Sequence, residues 1–195
     1  MISQDPLQQL LADREQARSR SDPFADLCCF ATVDACGAPQ VRTLVVRDLE
    51  QELAVFINDT SPKWQQLKHQ AKAQMLMYFP SLKVQYRLDV IPSPIPKKRV
   101  DHSWQMRPEI PKVMDWVYRD HFPQSTAIES NEVLAQAFSQ TRSNMQNPPP
   151  PAPTAQGLYL RPQRIERLQL IDDELHQRTL YSRVGTRWQS RPLVP

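Results

Sequence analysis

Residues 41–63 read VRTLVVRDLEQELAVFINDTSPK and hold two short β-type runs, 41–47 and 53–57, ahead of a loop that carries Ser61 and Lys63. The first run alternates, Arg42 and Leu44 on one face and Thr43 and Val45 on the other, as a half-buried strand does. Cations stand at both ends of it, Arg42 and Arg47, and Lys63 follows the second run. A β-hairpin that brought these three together would suit a phosphate dianion. Solvated surface charge is the alternative, since Lys and Arg are mostly exposed.

Working outward, 27–33 reads as a strand, and residues 34–39 (DACGAP) turn the chain at Gly37 into the strand 41–47. Upstream, residues 5–20 carry Leu7, Leu10, Leu11 and Arg14 at i, i+3, i+4 and i+7, with Asp5 as a cap before Pro6, which predicts an amphipathic helix. Downstream, Ser61-Pro62 opens a short helix over 63–70, and strand-like runs follow at 73–79 and 84–90. Such dense, short strands point to an antiparallel barrel or sandwich.

Residues 91–96 (IPSPIP) read as a proline-punctuated extended link into a helical insertion over about 97–146. There Ile110, Val113, Met114 and Val117 mark one helix, and Val133, Leu134, Ala137 and Phe138 another. Trp104, Met106, Met114, Trp116 and Tyr118 are expected in the core. Residues 147–153 contain five prolines and read as an exposed or partner-draped loop. Runs at 158–160, 164–170, 175–183 and 186–189 read as a returning β-meander, so the chain is taken as one domain over 1–195.

Composition narrows the chemistry. A chain of 195 residues with net charge +3, whose only compact basic run is Lys97-Lys98-Arg99, lacks a nucleic-acid footprint. The N-terminal stretch has neither a basic n-region nor an apolar h-region, and no apolar run approaches membrane length, so a cytoplasmic protein without a membrane segment is expected. Cys28, Cys29 and Cys36 follow no metal or redox spacing and read as small buried hydrophobes. His69, His102 and His121 share no ligand spacing, so no metal is expected. With only Gly37, Gly157 and Gly185, the chain has no glycine-rich phosphate loop. A phosphorylated ligand would be held by side-chain cations and hydroxyls.

Several stretches together resemble the pyridoxamine 5′-phosphate oxidase group of FMN-binding split β-barrels. They are Asp22-Pro23-Phe24 through ATVDACGAPQVRTLVVR, FIND followed by Ser61-Pro62-Lys63, and Gln85-Tyr86-Arg87. The last is the tail from Ile165-Glu166 through His176, Arg178, Tyr181 and Trp188 to the terminal PLVP. The resemblance implies a β-rich α+β fold, a Greek-key-like antiparallel split barrel with flanking helices, and FMN at a homodimer interface. It implies that Arg42, Arg47, Ser61 and Lys63 hold the FMN phosphate. By the same resemblance, backbone groups of Thr43, Leu44, Val45, Val46, Phe56 and Ile57 line the flavin, Gln85 bonds its polar edge and Arg178 approaches it. Arg107 and His176 would meet a small-molecule substrate, His176 also as the catalytic group.

The chain departs from the family pattern where substrate binds. The Tyr, Arg and Ser that hold substrate phosphate in the oxidases become Ser103, Arg107 and Pro111 in this register, and a family Trp becomes Leu168. The Arg-Leu-His-Asp-Arg run becomes Glu174-Leu175-His176-Gln177-Arg178, placing an anion where the oxidases have a cation. Three readings stay open: a flavin-dependent oxidoreductase on another small molecule, an authentic pyridoxamine/pyridoxine 5′-phosphate oxidase, and a non-catalytic carrier of flavin or haem.

Overall fold

Asp5 caps the first helix, α1 (Pro6–Ser19), accepting the Leu7 amide at 2.9 Å, with Pro6 in the first turn. A computed structural model of the chain describes residues 5–195; Met1–Gln4, on which part of the N-terminal reading rests, lie outside the described residues. The face that α1 buries is Leu10, Asp13, Arg14 and Ala17, while Leu7 and Leu11 are half-buried. The helix therefore turns a charged pair inward beside its leucine.

The chain divides into two compact units, the first made of residues up to Val55, His69–Ser93 and Tyr159–Pro195, the second of Phe56–Lys68 and Pro94–Leu158. In the first, β1 (Leu27–Val33) and β2 (Pro39–Val45) form an antiparallel hairpin in register Leu27↔Val45. Its turn is held by Asp34 Oδ1, which accepts the amides of Cys36 and Ala38 at 2.9 Å each, and by Gly37 at φ +86°. A left-handed φ there favours glycine.

The run expected as one strand over 41–47 is broken. β2 ends at Val45; the fully buried Val46 donates its N–H to Asp26 O at 2.8 Å, and Arg47 begins a new strand, β3 (Arg47–Leu49). The actual hairpin pairs β3 with β4 (Glu52–Asn58), Arg47 opposite Ala54. Its two-residue turn puts Glu50 and Gln51 at φ 53° and 64°, a type I′ arrangement with no Asn-Gly to announce it. Arg42 and Arg47 thus stand on different strands.

β5 (Ala73–Phe79) and β6 (Val84–Pro94) pair in antiparallel register, and β6 runs on through residues expected to be a link. The two runs expected at 158–160 and 164–170 are one strand, β7 (Ala155–Gln169), followed by β8 (Gln177–Val184) and β9 (Arg187–Leu193). β8 starts at Gln177, so Leu175, 88% exposed, and His176 lie in the turn before it rather than on a strand. Among the described residues the sheet order is β2-β1-β5-β6-β7-β4-β3, with β8 between β7 and β9. Phe30, Leu53, Met75, Met77, Phe79, Leu88, Leu160 and Ile165 are among its largest fully buried apolar side chains. Cys28 is buried and burial pushes its thiol up to about 12, but Cys29 and Cys36 are exposed, against the expectation of three buried cysteines.

The second unit holds α2 (Pro62–His69), α3 (Lys97–Gln105), α4 (Glu109–Asp120) and α5 (Asn131–Asn144). Val113, Val117 and Ala137 form a core between α4 and α5, joined by Met114, Leu134, Phe138 and Met145. Trp104 is buried as expected, whereas Met106 is 77% exposed because it lies just past the end of α3. Gly157 is needed for packing: a Cβ there would stand 3.0 Å from both Ile95 Cδ1 and Val100 Cγ2. No helix among the described residues is long and apolar enough to cross a membrane.

Candidate functional site

The loop between β4 and α2 is built as a cap. Asn58 Oδ1 accepts the Thr60 N–H at 3.0 Å and the Thr60 hydroxyl at 2.7 Å, an Asx turn that bends the chain toward Ser61. Ser61 then donates its N–H to Asn58 O and accepts the Trp64 N–H, which starts α2 with Pro62 as its first residue. The Ser61 side chain is fully buried and its Oγ has no hydrogen-bond partner among the described residues. Leaving a buried hydroxyl unpaired costs about 1–3 kcal/mol, so this atom is one that a ligand would satisfy.

Two braces hold that loop. Gln124 donates its N–H to Thr60 Oγ1 at 3.1 Å and accepts from Lys63 Nζ at 3.2 Å, which keeps the half-buried ammonium beside the helix start. Asn58 Nδ2 donates to Asp115 Oδ1 at 3.2 Å and to Thr154 Oγ1 at 3.0 Å. Asp115, 4% exposed, also accepts Trp104 Nε1 at 2.8 Å and Arg107 Nη1. Arg107, expected at substrate, is thus held as the counter-ion of Asp115. A buried hydroxyl, an ammonium and a helix N-terminus together suit a phosphate ester. In the same unit Phe56 is half-buried and Ile57 buried at the end of β4.

In the first unit Arg42 is half-buried on β2; its Nη1 donates to Thr32 Oγ1 at 2.5 Å and to Phe30 O at 3.2 Å, and burial lowers its pKa. Thr43 and Val45 point to the exposed face, Leu44 to the half-buried one, as the alternation predicts. Val46 is clamped on both sides, its N–H by Asp26 O and its carbonyl by Arg14 Nη2 at 3.1 Å. The Arg14 guanidinium is fully buried, donates also to Ala25 O at 3.1 Å, and pairs with Asp26 and Asp48. Burial, aided by Arg18 nearby, pulls its pKa down to about 10. Arg47 is exposed on β3.

Gln85 is half-buried on β6 opposite Tyr78. Arg178, opposite Leu168 on β7, bonds Glu166 Oε1 through Nε at 3.0 Å. His176 Nδ1 accepts the Ile171 N–H at 3.3 Å, which puts the ring proton of a neutral imidazole on Nε2. Glu174 is exposed in the same turn.

The sequence reading missed Asn58, Gln124, Asp115 and Glu166. Asn58 had a local signal, the NDTSP capping pattern. The others act through partners far away in the chain, Asp115 standing 57 residues from Asn58.

Residues 4–90 match the family described as "Pyridoxamine 5'-phosphate oxidase, FMN-binding domain". A pyridoxine/pyridoxamine 5′-phosphate oxidase of Anaeromyxobacter dehalogenans (strain 2CP-C) is 30% identical over 193 residues, covering 98% of this chain and 96% of that one. Among solved structures, a pyridoxamine 5′-phosphate oxidase-related, FMN binding protein from Nostoc punctiforme PCC 73102 has a TM-score of 0.80 at 25% identity, covering 100% of each chain. PhzG from Burkholderia lata 383, in complex with tetrahydrophenazine-1-carboxylic acid, has a TM-score of 0.86 at 21% identity over 97% of this chain and 92% of that one, a likeness of fold.

Proposed function

Since the chain belongs to the pyridoxamine 5′-phosphate oxidase family of FMN-binding split barrels, we propose that it is an FMN-dependent oxidoreductase acting on a small molecule. The observation that carries this reading is Ser61, whose hydroxyl is fully buried and unpaired at the start of α2, two residues before Lys63. Bound FMN would supply hydride transfer at its N5. On this reading Ser61 and Lys63, with Arg42 and Arg47, bind the phosphate. The backbone of 43–46, Phe56 and Ile57 lines the ring, Gln85 bonds its polar edge and Arg178 opposes charge on the reduced form. His176 would present its Nε2–H to substrate, with Arg107 as the further substrate contact.

The test is an absorbance spectrum of purified protein followed by FMN titration of wild type, Ser61→Ala and Arg42→Ala/Lys63→Ala. Flavin bands are expected, with FMN affinity about tenfold weaker in Ser61→Ala, the worth of one charge-assisted hydrogen bond, and far weaker in the double variant. A colourless protein that ignores FMN overturns the reading.

The reading includes a homodimer. Support comes from the outer face of β1, β2, β5 and β6, which exposes Cys29, Val41, Val45, Tyr78 and Ile91, the last four between 39% and 66%. So many apolar side chains on adjacent strands suit a covering partner. Light scattering is expected to give twice the chain mass, with Cys29 alkylated far more slowly than Cys36. A monomer in which both thiols react alike refutes the dimer.

A second reading, oxidation of pyridoxine or pyridoxamine 5′-phosphate, is favoured by the match to relatives of that name along nearly the whole chain. Glu174 counts against it, since a carboxylate beside a phosphorylated substrate repels it. Formation of pyridoxal phosphate by the FMN-loaded protein would decide for this reading.

A further inference from the structure

The Glu166 carboxylate stands where β6, β7 and β8 meet, and its side chain is only 12% exposed. A carboxylate so withdrawn from water needs partners, and it has two guanidinium groups on one oxygen. Arg178 reaches Oε1 through Nε at 3.0 Å and Nη2 at 2.9 Å, and Arg87 Nη1 lies 3.5 Å from the same atom. The pairing is unequal. Arg178, 28% exposed, takes the close two-point contact, whereas Arg87, half exposed, takes the long one. The third nitrogen of Arg178, Nη1, donates to Val194 O at 3.4 Å. Across the sheet Arg178 is flanked by Leu168 on β7 and Leu193 on β9.

These contacts fix the guanidinium plane of Arg178. Its Nε and Nη1 donate to Glu166 and Val194; a guanidinium carries five N–H groups, which leaves donors for a ligand. The charge of the group follows as well, because two arginines and one carboxylate sum to +1.

We propose that Glu166 is the positioning residue for Arg178, and that by halving the positive charge of the Arg87–Arg178 pair it holds down the redox potential of bound FMN. The inference rests on the assignment of Arg178 to the flavin. Its physics is direct: a cation near the pyrimidine end of the ring favours the reduced, negatively charged form and raises the midpoint potential. A carboxylate bonded to that cation offsets part of the effect. Glu166 therefore does two separable things, orienting Arg178 through its oxygen and cancelling charge through its ionisation.

Substitutions pull the two apart. Glu166→Gln keeps an oxygen that can accept from Arg178 but removes the negative charge. Its FMN dissociation constant is expected to stay within about threefold of wild type, less than the worth of one lost hydrogen bond, while the midpoint potential of bound FMN moves positive. Glu166→Ala loses orientation too, and its FMN dissociation constant is expected to rise about tenfold. Arg87→Met added to Glu166→Gln restores the net charge to +1 and is expected to bring the potential back toward wild type.

The experiment is FMN titration and spectroelectrochemistry on the loaded wild type, Glu166→Gln, Glu166→Ala, Glu166→Gln/Arg87→Met and Arg178→Ala, with a melting curve for each. A Glu166→Gln protein that melts earlier at an unchanged potential shows a merely structural carboxylate and overturns the proposal. So does a double variant whose potential fails to return. Failure of the FMN assignment looks different: wild type does not take up FMN at all. If FMN binds and depends on Ser61 while Arg178→Ala changes neither affinity nor potential, the inference falls alone.

Discussion

Asp115→Ala is expected to destabilise the protein by about 3–5 kcal/mol, the range for removing one partner from a buried ionic cluster. Three donors converge on this carboxylate: the indole N–H of the buried Trp104, the amide of the buried Asn58, and the Arg107 guanidinium. Alanine leaves the Trp104 indole N–H without its acceptor, Arg107 without its counter-charge, and Asn58 with Thr154 Oγ1 alone. Asp115→Asn keeps one acceptor oxygen and is expected to recover part of the loss. The effect extends to the site, because Asn58 holds Thr60, and Thr60 leads directly into Ser61. FMN affinity is therefore expected to fall along with stability, although Asp115 is assigned no contact with the ligand. Urea unfolding with parallel FMN titration checks both. A variant as stable as wild type would show that the three donors find water instead.

Arg14→Ala is expected to cost about 3 kcal/mol or more, from two buried carbonyls left unpaired and the space left by the side chain. The carbonyls are those of Ala25 and Val46; Asp26 and Asp48 still keep Arg18. The loss is thus mainly one of backbone satisfaction and packing. Arg14→Lys is expected to restore little of it, since one ammonium cannot reproduce a planar fork that reaches two carbonyls and two carboxylates. Because Arg14 grips the carbonyl of Val46, where β2 ends, both variants should also loosen the step between Arg42 and Arg47. Full stability in Arg14→Lys would show that charge alone, and not fork geometry, is what the position requires.

Much of the fold was legible locally. The bounds of β1 and β5 were read as observed, since each is a short alternating run closed by turn residues. Asp5-Pro6 announced α1, and the spacing of Val113 with Val117 and of Leu134 with Phe138 announced α4 and α5. Ser61-Pro62-Lys63 at a helix start, in a chain with three glycines, pointed to a phosphate held by side chains. These readings depend on neighbours within a few residues, which the sequence contains in full.

Other features were decided by partners far along the chain. The run 41–47 alternates without interruption, yet Val46 turns inward because Asp26 takes its N–H and Arg14 its carbonyl. Cys29 and Cys36 are as apolar as Cys28, but exposure depends on which sheet face is covered and on where the hairpin turn projects. Met106 lies outside the core because α3 ends before it. Asp115 and Glu166 look like ordinary surface acids until folding brings donors from other elements onto them. Sequence by itself determined the strands and helices whose periodicity and caps are local, and the residue types of the loop that starts α2. Tertiary structure alone decided where β2 breaks, which thiols are open, and which carboxylates brace the site, because burial and long-range hydrogen bonding exist only once distant segments meet.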